Sequence, residues 1–159
     1  MKLEKRLGDL LREKGWTLAV AESCTGGLVS HRITNVSGSS DYFEGGVVSY
    51  SNRAKAVHLR IPPAFLDQHG AVSSQVAKKM AEGVRKTFRT TFGLSTTGVA
   101  GPTGGTKKTP VGLVFIGLSD GKRSRVKKEM FRGTRLEIKQ QASQRCLELL
   151  HKHLLGRVR

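Results

Sequence analysis

Tyr50 and Lys55 stand five positions apart in "SYSNRAK", residues 49–55, across what reads as the end of a strand and the start of a helix. The β-branched pair Val47 and Val48 favours extended chain before them. Asn52 is a preferred N-cap for that helix, which makes Lys55 its third residue. Helix starts normally carry Glu or Gln at that place and acidic groups in the first turn. This one carries Arg53 and Lys55. The positive end of the helix dipole opposes a cation there by roughly 0.3–1 kcal/mol, and a neighbouring arginine adds repulsion. If burial strips water from the amine as well, it loses its proton near neutral pH and can act as a general base. The plain alternative is a lysine that faces water.

A base needs a nucleophile. Ser39 and Ser40 fall in the turn before the second strand, and a hydroxyl is a weak nucleophile until a base stands beside it, so Ser40 and Lys55 make chemical sense as a serine–lysine pair. Tyr50 either orients the lysine and relays a proton or is a half-buried strand aromatic. Cys24 is the rival nucleophile, near a helix start that favours thiolate, but it lacks an obvious histidine partner. Glu22 has no second carboxylate to work with and reads as a first-turn helix charge. His151 and His153 are two apart on a predicted helix and point in different directions, and no HExxH set occurs. His58 and His69 read as structural or surface residues. Neither a metal nor another cofactor is expected.

The elements that position these groups emerge from periodicity. Leu3, Leu7, Leu10 and Leu11 mark a helix over 2–14; "WTLAVA", 16–21, reads as a buried strand; "TGGLVSHRITN", 25–35, fits a helix begun by Thr25. A strand runs to Tyr50, a short helix starts at Asn52, and "IPPAFLDQHG" reads as a proline-broken connection. Ser73 or Ser74 caps a helix with Val76, Met80, Val84 and Phe88 on one face. "FGLSTTG" is a strand entering the glycine-rich "VAGPTGGTKKTP". Two further strands, "VGLVFIGLS" and "RVKKEMF", are joined by "DGKRS", whose Asp120 and Gly121 suit a tight hairpin. A last helix begins near Thr134. Alternation succeeded by a hairpin predicts an α/β fold, a three-layer α/β/α sandwich with a mixed sheet of about five strands. Ligand sites in such sheets form beyond the carboxyl ends of strands, where "AESCTGG", "SYSNRAK" and "STTGVAGPTGG" all lie.

With 159 residues the chain suits one domain, 1–159, around one core. No apolar run approaches the roughly 20 residues that cross a bilayer, and the N-terminus lacks a signal-peptide core, so a cytoplasmic protein with Cys24 and Cys146 reduced is expected. The net charge of +16 favours an anionic partner and is densest at "GKRSRVKK", 121–128, with "GRVR" closing the chain. Only nine aromatic residues occur, and they do not interleave with the basic runs as a base-stacking surface would. Nucleic acid is therefore a possible but not favoured partner.

Taken together, "AESCTGGLVSHRIT", "GSSDYFEGGVVSYSNRAK", "HGAVSSQVAKKMAEGVR" and "STTGVAGPTGGTKKTPVGLVFIGL" resemble, in order and spacing, the C-terminal domain of the competence/damage-inducible CinA proteins, a domain that also occurs alone as nicotinamide-nucleotide amidohydrolase. The resemblance runs from about Leu3 to the last helix. It implies a three-layer α/β/α fold, self-association with a dimer favoured, and metal-free hydrolysis of nicotinamide mononucleotide to nicotinate mononucleotide and ammonia. By position it implies Ser40, Tyr50 and Lys55 as catalytic residues. It implies Ser23 of "ESCTGG", Thr97 with Gly98 before "VAGP", and Arg135 of "FRGTR" as substrate-binding residues. A non-catalytic nucleotide- or nucleic-acid-binding domain using the basic surface is the alternative.

Overall fold

The computed structural model describes residues 2–157; Val158 and Arg159 of the terminal basic run lie outside them. In chain order the elements are α1 (Lys2–Glu13), β1 (Leu18–Glu22), α2 (Leu28–Thr34), a 3-10 turn (Ser39–Asp41), β2 (Phe43–Val48), α3 (Asn52–Leu59), α4 (Pro63–His69), α5 (Ser74–Phe88), β3 (Phe92–Gly98), β4 (Leu113–Ser119), β5 (Ser124–Met130) and α6 (Arg135–Arg157). The five strands form one sheet in the order β2-β1-β3-β4-β5. β1 runs parallel to both β2 and β3, while β4 is antiparallel to β3 and β5 is antiparallel to β4. The expected mixed α/β/α sandwich is what the chain adopts.

The period-two rule splits β1 between the two layers. Leu18 and Val20 join a core with Leu7 and Leu11 of α1, Val29 and Ile33 of α2, and Ile138 and Leu147 of α6. Ala19 and Ala21 face the opposite way, against Leu59 of α3, Leu66 of α4, and Val76, Met80 and Val84 of α5. That second interface is close: a Cβ on Gly93 or Gly117 would run into the backbone carbonyls of Ala81 and Ala77 of α5. Small residues on the sheet are what let α5 sit there.

Several boundaries differ from the sequence reading. Ser51, not Asn52, caps α3, its hydroxyl accepting from Ala54 N–H at 3.0 Å, so Lys55 is the fourth helical residue. "IPPAFLDQHG" contains helix α4, because Pro62 and Pro63 occupy the cap and first turn, where a missing N–H costs nothing. α2 starts at Leu28 rather than Thr25, with Gly27 at φ 99°. The cap at Ser73 stands, accepting from Val76 N–H at 3.2 Å. The start of α6 near Thr134 stands as well, since Thr134 and Glu137 form a capping box.

Candidate active site

β1, β2 and β3 are parallel, so the residues just after each share one edge of the sheet. They surround a cavity of about 380 Å³ lined by Ser23 and Cys24 after β1, Tyr50, Asn52 and Lys55 after β2, Thr97 and Gly98 at the end of β3 with Val99 to Gly101 beyond it, and Arg135 at the start of α6. That volume is at the small end for ligand pockets. The Ala71–Val72 connection and Thr103 complete the wall.

Lys55 is the centre of the arrangement. Side chains on a helix lean toward its N-terminus, which aims this one back at the strand ends. Its Nζ lies 2.9 Å from the Ser49 carbonyl and 3.1 Å from Ser23 Oγ, and the residue is 1% exposed. No carboxylate pairs with it among the described residues. Burial therefore holds its pKa below the usual lysine value. A neutral amine has two N–H groups and one lone pair, so it can donate to the Ser49 carbonyl and accept from the Ser23 hydroxyl. Ser23 is 8% exposed and lines the cavity, so its oxygen faces both the base and any bound molecule.

The structure does not bring Ser40 to this cavity. Ser40 sits exposed in the 3-10 turn that precedes β2, at the opposite edge of the sheet, where Arg12 binds Asp41 at 2.9 Å and the Gly38 carbonyl at 3.1 Å. Six residues of β2, at about 3.3 Å each, separate the two ends by roughly 20 Å. The pairing of Ser40 with Lys55 is thus corrected to Ser23 with Lys55. Tyr50 lines the same cavity as Lys55; it is 60% exposed, and its hydroxyl accepts from Arg135 Nη2 at 2.8 Å.

The substrate-binding candidates do converge. Arg135 spans the mouth, its Nη1 donating to the Gly101 carbonyl at 2.7 Å while Nη2 holds Tyr50. Thr97 is buried and donates to the Ala71 carbonyl at 2.7 Å, which leaves its oxygen free only to accept. Gly98 has its backbone tight against β4, where a Cβ would strike the Leu113 carbonyl. Asn52 lines the cavity rather than capping the helix. The signal for Ser23 is in the topology: in parallel strands, residues after β1 meet residues after β2, and Ser40 comes before β2.

A family model described as the CinA C-terminal domain matches residues 1–154. The chain belongs to that family. It is 50% identical over 152 residues to a competence-damage inducible protein of Moorella thermoacetica, covering 96% of this chain and 37% of that protein. It is likewise 50% identical over 153 residues to a CinA-like protein of Syntrophus aciditrophicus, covering 96% and 36%. The chain spans a little over a third of the length of these curated relatives, so nothing that their remaining length does is carried over. The crystal structure of competence/damage inducible protein CihA from Agrobacterium tumefaciens is similar throughout, with a TM-score of 0.92 at 34% identity, covering 95% of this chain and 93% of that one.

Within this CinA domain, Glu22 anchors the turn into α2. It is 1% exposed; Oε2 accepts from Thr25 Oγ1 at 2.6 Å and from the N–H groups of Gly27 and Val29, and Oε1 accepts from Ser30 N–H and Oγ, both at 2.8 Å. Five donors point at one carboxylate beside the start of α2. Glu22→Gln turns one oxygen into an amide that confronts N–H groups, and is expected to cost about 3 kcal/mol in urea unfolding.

Cys24 of the CinA domain is a thiol, not a rival nucleophile. Burial pushes its pKa up to about 12, with the Glu22 carboxylate adding to the rise. Iodoacetamide at pH 8 is expected to leave the native protein unmodified at Cys24 by peptide mapping, and Cys24→Ala is expected to keep turnover within a few-fold. No helix among the described residues is long and apolar enough to cross a membrane. No group of three or more metal-ligating side chains occurs among them either. A larger groove of about 810 Å³ lies between α2, β5 and α6. Within it Arg145 pairs with Glu129 at 3.5 Å and Glu148 at 2.9 Å.

Proposed function

We propose that this CinA domain hydrolyses the carboxamide of nicotinamide mononucleotide to nicotinate mononucleotide and ammonia, with Ser23 as nucleophile and Lys55 as base. The observation that carries the reading is the 3.1 Å contact between a serine hydroxyl on the cavity wall and a buried lysine amine that has no carboxylate partner among the described residues. The choice of substrate comes from the family resemblance, and the cavity's modest volume is in scale with a single nucleotide.

Neutral Lys55 takes the Ser23 proton as Oγ attacks the carboxamide carbon. N–H groups of the cavity wall stabilise the oxyanion that develops. As the tetrahedral adduct collapses, the Lys55 ammonium returns the proton to the departing nitrogen and ammonia leaves, with the nicotinoyl group esterified to Ser23. Lys55 then takes a proton from water, hydroxide adds to the ester, and Ser23 departs with that proton restored. Thr97, able only to accept, suits the carboxamide NH2. Arg135 has five N–H donors and uses two on Gly101 and Tyr50, so three remain for the nucleotide phosphate at the mouth.

The test is ammonia release. Purified protein with nicotinamide mononucleotide should produce ammonia and nicotinate mononucleotide in equal amounts. Folded protein that releases none, beside a working control amidase, would contradict the proposal.

A further inference from the structure

The most basic stretch of the chain is unused by the amidase reading, and its placement gives it a second role. β4 and β5 join through the 120–123 turn, and β4 runs antiparallel to β3, so that turn lies at the sheet edge opposite the Ser23–Lys55 cavity. A cleft flanks the ribbon on each face. One, of about 600 Å³, lies on the α6 side, where Arg125 and Lys127 of β5 meet Lys152 of α6. The other, of about 280 Å³, lies on the α5 side, where Lys78, Arg85 and Lys86 meet the hairpin. Lys122 and Arg123, exposed at the turn, line both.

The two acidic groups in these walls are already engaged. Glu82 accepts from Ser124 Oγ at 2.8 Å and sits 3.7 Å from Lys79; Asp120 accepts from the N–H groups of Lys122 and Arg123 and lies 3.3 Å from His153. Among the described residues, none of Lys122, Arg123, Arg125, Lys127 and Lys152 pairs with a carboxylate. Eight Lys and Arg side chains thus line the two clefts against two carboxylates, a local excess of six positive charges. A patch that size, held at one end of the molecule, is an electrostatic footprint for a polyanion.

We propose that the β4–β5 hairpin and its two flanking clefts form a docking surface for the phosphate backbone of duplex nucleic acid. β4 stays paired with β3 from Val114 to Ser119, so the duplex is met from outside, its backbone phosphates lying across the 120–123 turn and the exposed edge strand β5. That is where the two sets of basic groups stand. The one ring among the residues lining the two clefts is His153, which packs edge-on against Phe92 with centroids 5.7 Å apart, so the row of exposed rings on which single strands stack is lacking. Binding depends on charge and not on base sequence, since phosphate contacts position without specifying.

The experiment is fluorescence anisotropy with a 20-base-pair DNA duplex titrated by the full chain over a range of NaCl concentrations. Five phosphate contacts give a log–log salt slope of about −4.5. The triple variant Lys122→Gln, Arg123→Gln, Arg125→Gln should lower affinity at 50 mM salt at least tenfold and reduce the slope by about 2 to 3 units. Its ammonia release should be unchanged, because these residues lie at the other end of the sheet. A control triple of equal charge loss on α1, Lys2→Gln, Lys5→Gln, Arg6→Gln, should bind like the parent chain. Equal weakening in both triples means attraction by net charge alone and overturns the proposal. So does absence of binding at 50 mM salt, or displacement of the duplex by polyglutamate at equal charge concentration, which assigns the surface to an acidic protein. None of these outcomes bears on the amidase reading.

Discussion

Replacing Lys55 with methionine is expected to lower ammonia release from nicotinamide mononucleotide by about 10³- to 10⁴-fold while leaving the far-UV circular dichroism unchanged. Methionine keeps the length and apolar stem of lysine but has no basic nitrogen, so the loss isolates proton transfer from packing. The same change has a signature in stability. Burial lowers the pKa of Lys55 in the folded chain relative to about 10.4 when unfolded. Below the folded pKa both states carry the proton and the folded state bears the full penalty of a buried charge. Above about 10.4 both are neutral and the penalty is gone. Between the two, the unfolded chain binds more protons, so wild-type stability climbs as pH rises through that window. The methionine variant should lack the climb, which urea unfolding at a series of pH values measures. Turnover should track the same group: kcat/KM of the wild type rises with pH through the folded pKa of Lys55, where the amine becomes free to accept a proton.

The second large effect separates two serines. Ser23→Ala is expected to reduce kcat by at least about 10³-fold, because no other hydroxyl contacts Lys55 Nζ among the described residues. Ser40→Ala is expected to stay within about twofold of wild type, since that side chain is exposed at the far edge of the sheet. Parallel assays of the two variants decide the nucleophile. A silent Ser23→Ala with an inactive Ser40→Ala would reverse the assignment made from the geometry.

Much of this architecture is legible in the sequence, and the remainder is hidden for identifiable reasons. The α5 face through Val76, Met80 and Val84 and the hairpin at Asp120–Gly121 rest on local periodicity and turn chemistry, which tertiary contacts reinforce. Asn52 and Ser51 are both good caps, and local preference does not choose between them; the backbone places Ser51 in the extended conformation that a cap needs. Helix α4 is hidden because prolines break helices in their interior but begin them readily.

The site divides in the same way. Lys55, Ser23, Thr97, Gly98, Tyr50 and Arg135 do line one cavity, as residues at or beyond the carboxyl ends of parallel strands and at the start of a helix should. Which serine meets the lysine depends on a distinction that motif order does not carry, between residues that precede a strand and residues that come after it. The helix dipole and Arg53 predict a depressed lysine pKa from sequence. In the folded chain its cause is desolvation, a consequence of α3 packing over the strand ends.

The direct measurement is a titration of the Lys55 side chain itself, by carbon-13 NMR of its ε-carbon in protein labelled at lysine and assigned by the signal lost in Lys55→Met. A midpoint well below that of the other lysines, which titrate near about 10.4 in water, is the result this mechanism predicts. A midpoint at or above that value would leave Ser23 beside a permanent cation and contradict it.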